Sequence, residues 1–282
     1  MKKNFKISLA IVIIFTMAIT IMSVFGLHNV VSAADDSVHI IDSCGVVIRE
    51  SGTYVLNKDL VCSNYNNAIM VIADNVTLDG RGHTITKSAE RNRWATGIFL
   101  EKVSGVKIKN FNINYFSHGV FLEDSNNNTV ENIKASSSFL DIALVKSSNN
   151  RITNNFSNGY GVDDNGIALF ESNGNYIANN VIKGMIYGLD AYASVDNKIV
   201  YNKIVVGKYG MRLSNGCKNN RIDNNFVKIS DTRGVTIGFY FRSTGNFGMG
   251  NTLVPSWPDL CLDCLVDNSV TSSNPKIKVL KR

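Results

Sequence analysis

No window of this 282-residue sequence places apolar residues at a 3.6-residue period, so it offers no candidate for an amphipathic helix. Basic runs are missing after the first six residues, which excludes the electrostatic footprint of a nucleic-acid-binding protein. Histidine is scarce. Beyond the N-terminal segment only His39, His83 and His118 occur, with Met70, Met185, Met211 and Met249 scattered, so no clustered imidazole or thioether set for a soft metal stands out. The fixed leucine run of leucine-rich repeats is also absent.

What is present is a repeat. An aliphatic residue flanked by Asn recurs at Leu78, Ile108, Val130, Ile152, Ile177, Ile199 and Ile222, in steps of 30, 22, 22, 25, 22 and 23 residues. A second phrase keeps the same beat, from Gly97-Ile98-Phe99-Leu100-Glu101 to Gly238-Phe239-Tyr240-Phe241-Arg242. Its second and fourth places are apolar, the period-two mark of a strand with one face buried. A period near 22 is too short for a helix pair with its loops. The expected fold is therefore all-β: a single-stranded parallel β-helix of seven to nine coils, roughly 22 residues and about three short strands per coil. Right-handed winding follows from the usual hand of parallel connections. Asn110, Asn132, Asn154, Asn155, Asn179, Asn180, Asn202, Asn224 and Asn225 follow the first anchors and are expected to form corner ladders, because Asn tolerates left-handed backbone and bonds along a stack.

Four segments are expected. Residues 1–33 read as a signal peptide: Lys2, Lys3 and Lys6 precede an uncharged stretch from Ile7 to Leu27, and Val31-Ser32-Ala33 is a small-residue cleavage site. The stretch is also long enough to stay as a membrane anchor, the one membrane association expected. Residues 34–74 form a lead-in and cap, 75–250 the repeats and 251–282 an irregular tail. Cleavage takes three Lys and no acid, so the formal charge drops from +6 to +3. The mature chain is expected to be a secreted or cell-surface monomer. Among five cysteines, Cys44 and Cys62 are the natural disulfide, closing the lead-in over the open solenoid end. Of Cys217, Cys261 and Cys264, one tail cysteine is expected to pin the tail to a late rung.

Ser51-Gly52-Thr53-Tyr54-Val55-Leu56, then Asp74-Asn75-Val76-Thr77-Leu78-Asp79-Gly80-Arg81-Gly82-His83-Thr84-Ile85, resembles the opening of exported right-handed β-helix proteins of the pectate-lyase-like superfamily. The later Gly-Ile-x-Leu-x-x-Ser and Asn-x-Ile-x-x-Asn pattern resembles their NosD-type, carbohydrate-binding and sugar-hydrolase repeats. The resemblance covers roughly residues 40–250. It implies the fold, and a choice among polysaccharide lyases, polygalacturonase-like hydrolases, alginate epimerases, a periplasmic copper-insertion component and inert surface proteins. In the phrase around His83 the glycines supply a tight corner and the histidine is expected to close it through backbone.

Chemistry is expected on the outward places of the pentads. Reading the third place down the stack gives Phe99, Phe121, Ala143, Ala168, Asp190, Arg212 and Tyr240. The lower rungs combine aromatic faces with cations, a vocabulary suited to an acidic polysaccharide. For a lyase or epimerase on a uronate glycan, Lys208 or Arg212 is the expected base and Tyr209 the acid. Tyr187, Tyr192, Tyr240, Arg242 and His118 are expected to bind substrate, and Asp164 with Asp190 to hold calcium. Asp190 and Arg212 equally suit a surface ion pair between adjacent rungs. The rival function is a non-catalytic surface scaffold or adhesin, and a third is a NosD-type copper-related protein. The Asp163-Asp164 phrase is similar to a polygalacturonase strand, yet the Gly-His-Gly element is missing: the equivalent rung reads Tyr187-Gly188-Leu189-Asp190.

Overall fold

A computed structural model describes residues 37–63, 66–88, 95–137, 139–159, 165–230, 237–241, 243, 245–254, 266–267 and 277–279. The signal-peptide reading and the tail cysteines Cys261 and Cys264 lie outside the described residues. The described residues form one unit, an all-β solenoid of about eight turns and about 23 residues per turn. Three sheets run its length, and the strand pairings between turns are parallel. Sheet A begins at Val38–Ile41 and ends at Arg221–Asp223. Sheet B carries the pentads, from Thr96–Glu101 to Ile237–Phe241, and sheet C runs from Leu60–Cys62 to Ile277–Val279. From Gly52–Leu56 to Ile237–Phe241 each turn visits A, then C, then B; the first turn passes from Val38–Ile41 of sheet A to Val46–Ile48 of sheet B.

Alternation determines the core. Ile98, Val120, Ile142, Ile167, Leu189, Met211 and Phe239 pair rung to rung and are all fully buried. Each such side chain contributes about 1.5–3 kcal/mol by leaving water. A glycine opens most pentads because two turns touch there: a Cβ on Gly97 would lie 2.5 Å from Ile113 Cγ2 and 2.7 Å from the Gly119 carbonyl oxygen.

Asparagine turns the corners as expected. Asn110, Asn132, Asn154, Asn179 and Asn224 have φ between 54° and 60°, the left-handed region that Asn enters cheaply. The residue after each turns inward, and Asn155, Asn180, Asn202, Asn225 and Asn251 form a buried ladder in which each side-chain amide donates to the next Oδ1 at 2.9–3.1 Å. A second ladder, not anticipated, links Asn175, Asn197, Asn220 and Asn246 at the corner before sheet A. Beside it runs a serine column, Ser125, Ser147, Ser172 and Ser194, each hydroxyl accepting from the preceding turn's backbone N–H at 3.0–3.2 Å. The motif Ser-x-x-Asn, as in Ser172 to Asn175, marks both.

Three readings change. The lead-in is itself wound: Val38–Ile41, Gly52–Leu56, Leu60–Cys62 and Asn67–Val71 already belong to the three sheets. Cys217 is a free, buried thiol that continues the serine column, where its sulfur meets the Ser194 N–H and the Ala191 carbonyl at 3.4 Å, so it does not pin the tail. Finally, the His83 imidazole meets the Asp59 carboxylate at 3.2 Å while only its backbone N–H reaches Gly80. The Cys44–Cys62 disulfide is present, with Cα atoms 5.7 Å apart, and it ties the loop before sheet B to the first strand of sheet C.

Candidate functional site on the outer face of sheet B

The outward columns fall in the expected register. Phe99, Phe121, Ala143, Ala168, Asp190, Arg212 and Tyr240 pair in order, and so do Thr96, His118, Leu140, Asn165, Tyr187 and Tyr209. Strand spacing of about 4.8 Å brings their side chains into contact along the axis.

At the lower end Asp190, only 2% exposed, is bridged to Arg212 on the next turn. Arg212 Nε donates to Asp190 Oδ1 at 2.7 Å and Nη2 donates to Oδ2, the two-pronged geometry of a strong carboxylate pair. The guanidinium carbon also stands 4.4 Å from the centre of the Tyr187 ring. Tyr187 and Tyr209 are stacked, 4.8 Å apart and 3° from parallel, and Tyr240 meets Tyr209 edge-on at 6.4 Å. Lys208 Nζ lies 5.4 Å from the Tyr209 ring centre.

This geometry changes two roles. Hydrogen bonding to Asp190 outweighs burial and raises the Arg212 pKa above its ordinary value, so Arg212 stays protonated and is unsuited to accept a proton. Both Asp190 oxygens face that guanidinium, which leaves the carboxylate poorly placed for calcium, and Asp164 lies outside the described residues. Arg242 lies outside them as well. Tyr192 is exposed and takes no part in the ring stack, whereas Tyr187, Tyr209, Tyr240, Lys208 and Arg212 come together.

At the upper end His118 lines a cavity of about 340 Å³ with Asn67, Thr96, Phe99, Phe121, Phe139 and Leu140. Its ring centre is 5.1 Å from Phe121 and 5.8 Å from Phe139, and Thr96 Oγ1 is 3.5 Å from Nδ1. Burial lowers the His118 pKa, so the imidazole is held toward its neutral form. Asn67 and Phe139 were not anticipated as lining residues. Asn67 was discoverable, because it opens the apolar run Asn67–Val71 as Thr96 opens the next such run, and the two pair at the head of the His118 column. Between the two ends Leu140, Ala143 and Ala168 are buried against Phe121 and Phe170.

Asp79 belongs to the frame of the solenoid. Burial pushes its pKa up, but hydrogen bonds from the Arg81 N–H, the Asn110 amide and Lys109 outweigh this and hold it below the usual range.

A family model described as "Periplasmic copper-binding protein (NosD)" matches residues 44–246. Comparison with curated proteins gives no match. Among solved structures, the DFA-IIIase of Arthrobacter chlorophenolicus A6 in complex with GF2 is similar at a TM-score of 0.63 and 13% identity, over 76% of this chain and 67% of that one. The same enzyme with DFA-III gives a TM-score of 0.64 at 12% identity, over 77% of this chain and 64% of that one. The periplasmic alginate epimerase AlgG gives 0.57 at 12%, over 82% of this chain and 51% of that one, so the chain spans about half of the epimerase. At these identities the likeness concerns the fold.

Proposed function

The chain belongs to the NosD family, and from that premise we propose that it is an exported β-helix protein that binds an acidic glycan along the outer face of sheet B. One observation carries the reading: a guanidinium held cationic by Asp190, over a stacked tyrosine pair and beside Lys208, on an outward face. The guanidinium edge that Asp190 leaves open can meet a carboxylate, and the aromatic column gives pyranose rings apolar surface. The carbohydrate chemistry named for DFA-IIIase and the alginate epimerase supports the same direction.

The family's description raises copper, and the described donors do not fit it. His39 stacks on Tyr54 at 4.7 Å in sheet A, His83 pairs with Asp59 at the sheet C corner, and His118 lies in the sheet B pocket. Among the described residues no three of His, Cys, Asp and Glu converge, whereas a copper site needs clustered nitrogen or sulfur ligands.

Within the glycan reading Arg212 binds the uronate carboxylate. The proton acceptor of a lyase or epimerase step then falls to Lys208, with Tyr209 as the acid. The test is calorimetric titration of the purified mature protein with pectate, alginate and glycosaminoglycans, with and without calcium, beside ultraviolet detection of unsaturated product. One charge-assisted contact is worth about 1.5–3 kcal/mol, so Arg212→Gln should weaken binding by roughly 10- to 100-fold. Binding without product indicates a lectin-like module. No binding to any of the three polymers refutes the proposal and favours the scaffold.

A further inference from the structure

The pocket at the upper end of sheet B plays no part in the glycan reading. Its volume of about 340 Å³ suits one small molecule. Phe99 and Phe121 form one side of it, and Phe139 with Leu140 add further apolar wall. The imidazole of His118 is tilted 60° to Phe121 and 75° to Phe139, the kind of packing that a further ring can join edge to face. Polar side chains lie on one side only: Asn67, Thr96 and His118 follow one another in a single column of the sheet, with Thr96 Oγ1 3.5 Å from His118 Nδ1. None of the described lining residues carries a formal charge, because burial holds His118 toward its neutral form. Four strand steps, about 19 Å at about 4.8 Å per strand, separate His118 from Tyr209 in the same column.

We propose that this pocket is a second binding site, which takes an uncharged aromatic molecule with one hydrogen-bonding substituent, of the phenol class. The lining selects against charge: a carboxylate or an ammonium group entering it would leave water without meeting an opposite charge. It selects against a sugar as well, since a pyranose carries hydroxyls around its whole rim and the phenyl side would leave several of them unpaired. A flat ring with a single hydroxyl satisfies both sides. The ring packs on Phe99 and Phe121, and the hydroxyl faces the column of Asn67, Thr96 and His118. Aromatic pairs gain more than their buried area alone, which favours such a ring over a saturated one of the same shape.

The test titrates the mature protein with p-cresol by ligand-observed nuclear magnetic resonance, beside five relatives: toluene, 4-methylcyclohexanol, p-toluate, 4-methylbenzylamine and methyl glucoside. p-Cresol should bind with a Kd of about 1 mM or less. Toluene lacks the hydroxyl and 4-methylcyclohexanol the aromatic ring, so each should bind about 2- to 10-fold more weakly. The anion, the cation and the sugar should bind at least about 10-fold more weakly. Phe121→Ala should weaken p-cresol binding at least about 5-fold, with circular dichroism confirming that the variant keeps the fold. A uronate oligosaccharide should not displace p-cresol, so failure of the glycan reading leaves this one standing. Absence of saturation below about 10 mM p-cresol overturns the proposal. So does equal or tighter binding of p-toluate, 4-methylbenzylamine or methyl glucoside, unchanged p-cresol affinity in folded Phe121→Ala, or displacement by the uronate.

Discussion

Replacing Asn180 by alanine removes one rung of the buried ladder without touching the outer face of sheet B. Asn180 is 1% exposed and makes four side-chain hydrogen bonds. Its Oδ1 accepts from the Asn155 backbone N–H and side-chain amide, both at 3.0 Å. Its own amide donates to the Ile152 carbonyl at 3.0 Å and to Asn202 Oδ1 at 2.9 Å. In the variant, the Asn155 amide retains the Val130 carbonyl and Asn202 Oδ1 retains the Asn180 backbone N–H. The Asn155 backbone N–H keeps no such substitute. An orphaned buried donor costs about 1–3 kcal/mol and each of the three further lost bonds about 0.5–1.5 kcal/mol, so the expected destabilisation is about 2.5–7.5 kcal/mol. The control is Asn158→Ala, on the outer side of sheet C, which should change stability by no more than about 0.5 kcal/mol. Urea unfolding measures both, with the midpoint shift read at constant slope. A loss below about 1 kcal/mol for Asn180→Ala at unchanged slope would refute the claim that the ladder holds the turns together.

Replacing Cys44 and Cys62 by serine releases a loop with a sequence separation of 18, worth about 3 kcal/mol on loop entropy. The expected drop in Tm is about 6–12 °C by calorimetry, and an unchanged Tm contradicts it. His118 gives a pH signature. Its folded pKa lies below its unfolded value, so the folded state binds fewer protons and stability falls as pH drops from about 6.5 through the folded pKa. His118→Leu should abolish that part of the slope, while the loss from Asp79, whose folded pKa is depressed, should persist below about pH 4. Equal slopes in the two proteins from pH 7 to 5 would show that His118 does not charge against burial.

The fold was legible because strand alternation and turn length are both periodic. Once the 22-residue beat is seen, residues one period apart must stack, and Asp190 over Arg212 follows from counting. The partner of each charge was less legible. The same adjacency suits a calcium site or an ion pair, and the bridge geometry distinguishes them. Short strands without the glycine pentad, such as Leu60–Cys62, hid the first turns. Cys217 read as a disulfide partner because its place in the serine column is visible only after Ser-x-x-Asn is aligned across turns. Phe139 reaches the His118 pocket from just before a strand, where the repeat has no fixed residue.

Hydrogen–deuterium exchange with and without a saturating uronate oligosaccharide is the sharpest check on glycan binding at sheet B, because it locates the ligand as well as detecting it. New protection is expected in Tyr187–Tyr192 and Tyr209–Ser214, lost in Arg212→Gln. No protection, or protection confined to the sheet C strands, would contradict it.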